Sequence, residues 1–174
     1  MLTLKGDTVF LRALEANDLD FLYKLENDES VWEVSETHSP YSRYVLKQYL
    51  ENSHKDIYEV KQLRLAISKY DNTLVGFIDL FDFDPKNNRA GVGILILENK
   101  DRRKGIGTEA LNLILKYAFH HLKLHQLYAN IRSNNLVSIR LFTNLGFIEI
   151  GVKKEWSYTG GTYMDEILFQ KINK

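Results

Sequence analysis

The residues of this chain best suited to chemistry lie in one run. Gly93-Ile-Leu-Ile-Leu97 is apolar, and Glu98-Asn-Lys-Asp-Arg102-Arg103-Lys104-Gly105-Ile106-Gly107-Thr108 follows it directly. A strand-like segment thus gives way to a loop carrying four cations, and two glycines precede a helix-forming stretch. The first turn of a helix leaves about four N–H groups without partners, and the helix dipole places roughly half a positive charge there. Glycine lets the main chain approach a phosphate closely, and Arg102, Arg103 and Lys104 add charge. The run therefore reads as an anion site, although a solvated basic loop ahead of a helix has the same composition. Two phosphate signatures are excluded. No Lys-Ser/Thr follows the last glycine, as a P-loop requires, and the three-glycine spacing of a dinucleotide fingerprint is missing.

The elements that must position this run follow from periodicity. Residues 8–13 read as a first strand. Asn17 or Asp18 caps a helix with Leu19, Leu22 and Leu25 on one stripe, and 41–53 reads as a weaker helix carrying Tyr41, Tyr44, Val45, Tyr49 and Leu50. Strands are predicted at 62–69, 74–83 and 90–97, separated by Asp71-Asn72 and by Asp84-Pro85-Lys86-Asn87-Asn88, and joined as an antiparallel meander. A helix over 108–122 places Leu111, Ile114, Leu115, Ala118 and Leu122 on one face, and a strand follows at 126–132. A short helix capped by Asn134 or Asn135 stops at Gly146, and strands near 147–156 and 162–170 are joined by Gly160-Gly161. The order β-α-α-β-β-β-α-β-α-β-β implies an α/β (α+β) fold with a mixed sheet, read as one domain over 1–174.

Composition narrows the function classes. Lys plus Arg equals Asp plus Glu at 23 each, so no broadly basic nucleic-acid surface is expected. The chain has no cysteine, which removes disulfides, cysteine-ligated zinc and a thiol nucleophile. The first residues carry no apolar run of signal-peptide length and no segment is membrane-spanning in character, so a soluble, cytoplasmic protein is expected. His120, His121 and His125 cluster at a helix end, where cations are common, and no metal site is assigned to them.

Arg102-x-x-Gly105-x-Gly107 resembles the Gln/Arg-x-x-Gly-x-Gly/Ala pyrophosphate motif of the GNAT (GCN5-related N-acetyltransferase) superfamily. Asn135-x-x-Ser138-x-x-Leu141-Phe142-x-x-Leu145-Gly146-Phe147 resembles that family's second block, and the element order is similar along nearly the whole chain. Val9-Phe-Leu-Arg-Ala-Leu-Glu15 with Asp18-Leu19, and Gly161-x-Tyr163-x-Asp165-Glu166, are similar to spermidine N-acetyltransferases and ribosomal-protein alanine acetyltransferases. The resemblance implies a mostly antiparallel sheet of about seven strands with helices on both faces, its fourth strand splayed from its fifth.

It also implies acetyl-CoA as cofactor and direct acetyl transfer to an amine, either a polyamine or a protein N-terminus. Main-chain groups of Ile94, Leu95, Ile96 and Leu97 would hold the pantetheine arm, with Arg102 in the loop. Amides of Arg103, Lys104, Gly105, Ile106, Gly107 and Thr108 would hold the pyrophosphate. Asn135 would contact the cofactor, and Ser138, Leu141 and Phe142 would line its thiol end. Glu33, Glu36, Asp79, Asp82 and Asp84 are candidates to accept a proton or bind a cationic amine, and strand alternation would put Asp82 and Asp84 on one face with Asp79 on the other. Trp32 and Tyr41, Tyr44 and Tyr49 would wall the acceptor pocket, or fill core. The family's tyrosine acid is replaced by Phe142, which leaves Tyr128, Ser138, Tyr163 or water to donate, with Glu36 and Asp82 as acceptors. A catalytically weak acyl-CoA-binding sensor or scaffold is the alternative that Phe142 raises. Homo-oligomerisation stays open.

Overall fold

The computed structural model describes residues 4–102 and 104–174. Seven strands form one sheet in the order β1-β2-β3-β4-β5-β7-β6. They are β1 Val9–Arg12, β2 Leu63–Lys69, β3 Leu74–Asp84, β4 Arg89–Ile96, β5 Gln126–Arg132, β6 Ile148–Thr159 and β7 Thr162–Ile172. All neighbouring pairs are antiparallel except β4 and β5, which run parallel. The expected meander of β2, β3 and β4 is present, and Gly160 and Gly161, both at positive φ, turn the β6–β7 hairpin.

Helices cover both faces. On one, α5 (Ile106–Lys116) and α6 (Leu136–Asn144) bury Ile106, Leu111, Ile114 and Phe142 against Val92, Leu127 and Ala129. On the other, α1 (Leu19–Glu26) and α3 (Arg43–Glu51) bury Leu22, Leu25, Leu46 and Leu50 against Ala66, Phe77 and Leu97. Two further helices, α2 (Glu29–Ser35) and α4 (Ile57–Val60), escaped the sequence reading. They are short, and the caps that start them, Asp28 and Asp56, are their clearest signals. Among the described residues, no helix is long and apolar enough to cross a membrane.

Several expectations need correction. The buried stripe of α3 is Leu46 and Leu50; Tyr41, Tyr44 and Val45 are exposed and Tyr49 is half-buried. α5 begins at Ile106, so Gly107 lies inside its first turn, and its α-helical part ends at Lys116 in a π-type turn over Tyr117–His121. Asp18 does not cap α1 through its side chain. It accepts from the Glu15 amide at 2.8 Å and takes a two-pronged pair of bonds from Arg12 at 2.8 and 2.9 Å, which ties β1 to the entry of α1.

Burial alone would raise the Asp18 carboxyl, but the bonds from Arg12 and the Glu15 amide outweigh it and hold it below its ordinary value. A depressed folded-state carboxyl stabilises above its unfolded pKa of about 3.9, and that stability disappears as pH falls through the folded value. Asp18→Asn is therefore expected to cost about 2 kcal/mol at neutral pH. It should also flatten the loss of stability below about pH 4, as read from denaturant midpoints across pH.

Candidate active site

The feature that organises the site is an interrupted ladder. β4 pairs with β5 only at Arg89↔Gln126, Ala90↔Leu127 and Gly91↔Tyr128. Beyond that point β4 stays on β3 as far as Gly76↔Ile96, and β5 stays on β7 as far as Arg132↔Glu166. A wedge therefore opens upward from Gly91 and Tyr128, flanked by Val92–Ile96 on one side and Ala129–Arg132 on the other. Main-chain groups on the facing edges of both strands point into it, ready for an extended ligand with amides of its own.

At the head of the wedge sits the loop from Glu98 to Gly105, pinned at three places. Glu98 pairs with Lys24 of α1 at 2.5 Å, and the buried Asp101 pairs with Lys69 of β2 at 2.5 Å. Arg102 donates to the carbonyls of Ile96 and Leu97 at 3.0 and 3.3 Å. Arg102 thus braces the end of β4, and Lys104 and Thr108 are exposed beside it. Arg103, also expected to face the pyrophosphate, lies outside the described residues.

Gly105 caps α5 with φ +79° and no side-chain bond to the helix, whereas Asp28, Ser42, Asp56 and Asn135 each cap their helices by side-chain oxygen. The leading amides of α5 are thereby left for an anion. A Cβ on Gly107 would lie 3.4 Å from Leu141 and 3.8 Å from Ile96, so α5, α6 and β4 converge closely there. Asn135 uses its carbonyl oxygen to accept from the Ser138 amide at 3.2 Å. Ser138 and Leu141 are half-buried on α6, and Phe142 is buried edge-on against Phe147 with ring centroids 5.0 Å apart. Ile106 is buried, and Ile94, Leu95 and Ile96 are half-buried along β4, followed by the buried Leu97.

The opposite face of the wedge carries the titratable groups. On β5, Leu127, Ala129 and Ile131 enter the core, which leaves Tyr128, Asn130 and Arg132 on the side of α1 and α2. Tyr128 stands at the apex with its hydroxyl 3.5 Å from Asp82 Oδ2. The Phe81 ring lies over Gly91, where a Cβ would collide with it, and meets the Tyr128 ring edge-on at 6.0 Å. Burial first, then the charge and bond of Asp82, push the Tyr128 phenol above its ordinary value near 10.

The acids expected on β3 are separated by a break in its ladder. The β3–β4 register shifts between Phe81 and Asp84, and Asp82 adopts φ +48°. Phe83 consequently joins Ile78 and Leu80 in the same core cluster, so strict alternation from Asp79 does not carry across the break. Asp84 instead accepts from the Lys86 and Asn87 amides at 3.1 and 3.0 Å and pairs with Arg89 at 3.2 Å, a turn-stabilising task. Asp79, opposite Gly93, is held by Arg64 at 2.7 and 3.1 Å, and the same guanidinium bonds Glu26 at 2.6 Å. Burial opposes the charge on Arg64, but Asp79 and Glu26 more than compensate and hold it above its usual value. Burial raises the neighbouring Tyr49 phenol as well. Arg64 and Glu26, which sequence reading did not single out, thus convert this corner into one net negative charge.

α2 overhangs the end of β5. Its Glu33 reaches Arg132 at 3.6 Å, and Trp32 donates to the Glu26 carbonyl at 2.8 Å. Glu36 ends α2 in the left-handed conformation and is exposed; among the described residues it makes no hydrogen bond or ion pair with the strands of the wedge. Tyr163 is exposed on the β6–β7 hairpin, away from Tyr128.

Comparison with known proteins matches this geometry. The family described as an acetyltransferase (GNAT) domain matches residues 8–148. An uncharacterized N-acetyltransferase derived from the SPbeta prophage of Bacillus subtilis is 30% identical over 94% of this chain and 89% of its own length. The spermidine N(1)-acetyltransferase of Vibrio cholerae is 28% identical over 89% of this chain and 87% of its own. A crystal structure of the spermidine N-acetyltransferase from Vibrio cholerae in complex with CoA and spermine superposes with a TM-score of 0.84 and 26% identity, covering 96% of each chain. A dodecameric structure of that enzyme gives a TM-score of 0.80 at 28% identity, covering 96% of this chain and 95% of the other. This chain belongs to the GNAT acetyltransferase family and is an N-acetyltransferase that uses acetyl-CoA.

Proposed function

We propose that the chain transfers the acetyl group to a primary amine of a polyamine, spermidine-like, or of a protein N-terminus, and that it works as a homo-oligomer. The observation that carries the reading is the wedge between β4 and β5, headed by the side-chain-free start of α5. Its residues fit the cofactor. The amides of Lys104 to Thr108 would hold the pyrophosphate, and the open edge of Ile94 to Leu97 would hold the amide-bearing arm. Asn135, Ser138, Leu141 and Phe142 would close the α6 side. When bound, acetyl-CoA supplies a thioester that an amine can attack and a thiolate that can leave.

Residues Gly105 and Ile94 to Leu97 would hold the arm on the side of the wedge that leads towards Gly91, where Tyr128 and Asp82 stand. Asp82 Oδ2 accepts the proton that the amine must lose, directly or through water. Tyr128, kept protonated by burial and by Asp82, would be the proton donor for the leaving thiolate. An acceptor that arrives as an ammonium would first lose one proton to solvent; the second, taken by Asp82, would return to Tyr128 Oη across their 3.5 Å separation once the two groups close or a water bridges them. Phe142 cannot take part, and Ser138 is the reserve donor. The net charge of the Glu26–Arg64–Asp79 corner, together with Asp82 and Glu36, favours a cationic acceptor, while Glu33 is offset by Arg132. The spermidine acetyltransferases among the relatives support a polyamine.

Two outcomes test this. Gly107→Val adds methyl groups where Leu141 and Ile96 already stand within 3.8 Å. It is expected to weaken coenzyme A binding roughly tenfold or more in calorimetry while the circular dichroism stays native, as overpacking of 1–3 kcal/mol implies. Tyr128→Phe should lower kcat by about 10²- to 10⁴-fold in a free-thiol release assay with an amine panel, leaving the KM for acetyl-CoA unchanged. Asp82→Asn in that background should add little further. Full turnover in Tyr128→Phe would move the proton to Ser138 or water.

A further inference from the structure

We propose that Phe81 is the specificity residue for the acyl donor: its ring walls the narrow end of the wedge and restricts the group carried there to acetyl. The inference rests on the reading that the cofactor's arm lies along β4, and it names what this site does to the group at the end of that arm.

The two faces of the sheet leave different room where β4 and β5 part. On the face of α5 and α6, Ala90 and Val92 of β4 are buried in one cluster with Leu127, Ala129 and Phe142, so that side is filled by core. On the other face β4 presents Gly91 and Gly93, and Phe81 of β3 stands opposite Gly91 in the ladder. The Phe81 ring leans across both positions. A Cβ on Gly91 would collide with it. A Cβ on Gly93 would meet Phe81 Cε1 at 3.7 Å and, its chain neighbours apart, no other atom of the described residues within 4 Å. Asp79, which faces Gly93 across the ladder, is drawn away from β4 by Arg64 of β2. Open space therefore lies over the Gly93 main chain, bounded on the Gly91 side by an aromatic ring.

That wall is held in place. Gly91 lets the ring settle against the strand, and Tyr128 meets it edge-on, with centroids 6.0 Å apart and planes at 83°. Phe81 is half-buried, so part of it stays uncovered. Covering Gly91 accounts for where the ring lies. It does not account for the room kept over Gly93, two residues along the strand from the Gly91–Tyr128 pair at which transfer is proposed. Propionyl and butyryl groups are longer than acetyl by one and two methylenes, and an apolar pocket discriminates one methylene by roughly 10- to 200-fold.

The test is calorimetric binding of coenzyme A, acetyl-CoA, propionyl-CoA and butyryl-CoA without any amine, so it needs no turnover. The wild type should bind butyryl-CoA at least about tenfold more weakly than acetyl-CoA. Phe81→Ala should bring the two within about threefold of each other and leave the affinity for free coenzyme A within about twofold. Gly93→Ala, whose Cβ has room and whose φ is not positive, should act in the opposite sense and raise discrimination against propionyl-CoA about tenfold. Should Phe81→Ala lose its native circular dichroism, the decision passes to Gly93→Ala. A wild type that binds coenzyme A yet takes butyryl-CoA as tightly as acetyl-CoA overturns the wall alone, as does a folded variant with the wild-type ratios. A wild type that binds no coenzyme A overturns the cofactor cleft itself.

Discussion

Everything in the site depends on one hydrogen-bond ladder stopping early. A parallel pair of strands normally satisfies its main chain along its length, and each buried group left without a partner costs about 1–3 kcal/mol. β4 and β5 pair for three residues and then part, yet neither strand loses its other neighbour. The split is held open from outside: α5 and α6 wedge Ile106, Leu111 and Phe142 beneath it, and β7 carries β5 away from β4. The fold maintains a slot whose walls are main chain and whose natural filling is a ligand with amides at strand spacing.

The slot has a direction because its two ends differ chemically. At the wide end, a loop pinned by Lys24, Lys69 and the strand carbonyls presents a helix start without a side-chain cap. At the narrow end stand an aromatic phenol and a carboxylate. The first suits an anion and the second suits proton transfer, with about four residues of strand between Gly91 and Leu95, or ~13 Å. At Gly107 the side chains of Leu141, Ile96 and Ile94 lie within van der Waals reach of a Cβ, so α5, α6 and β4 meet there with no room for a larger side chain.

The parts of this arrangement that sequence made legible are local in the chain. The meander, α5, β5 and the Asn135-capped α6 each carry their own periodicity or cap, and the glycine-cation run marks the wide end without any tertiary information. What was hidden is set by register. Nothing in the neighbourhood of Asp79 announces that Arg64 will face it across β2 and β3, nor that Glu26 will arrive from α1 to share the same guanidinium. Likewise the break after Phe81 overrides the period-2 rule that assigned faces to Asp82 and Asp84, because one residue in a left-handed conformation reverses every side chain beyond it. α2 was missed because seven residues with one buried apolar position make no stripe.

The replacement of the family's usual tyrosine by Phe142 gains its meaning from this geometry. A proton donor on α6 would approach the slot from the helix-packed face, whereas Phe142 is committed there to Phe147 and the main core. Tyr128 approaches from the opposite face and from β5, at the last of the three pairs before the two strands part. Its phenol is raised rather than lowered, which suits a donor at neutral pH and not a base, while the exposed Asp82 is the neighbouring carboxylate that the proposal makes the acceptor. Moving the donor from helix to strand keeps it at the narrow end of the slot and gives it a carboxylate neighbour, which a residue inside the apolar packing around Phe142 would lack. The backbone at Asp82, held at φ +48° within a broken ladder, is the conformational cost of that pairing.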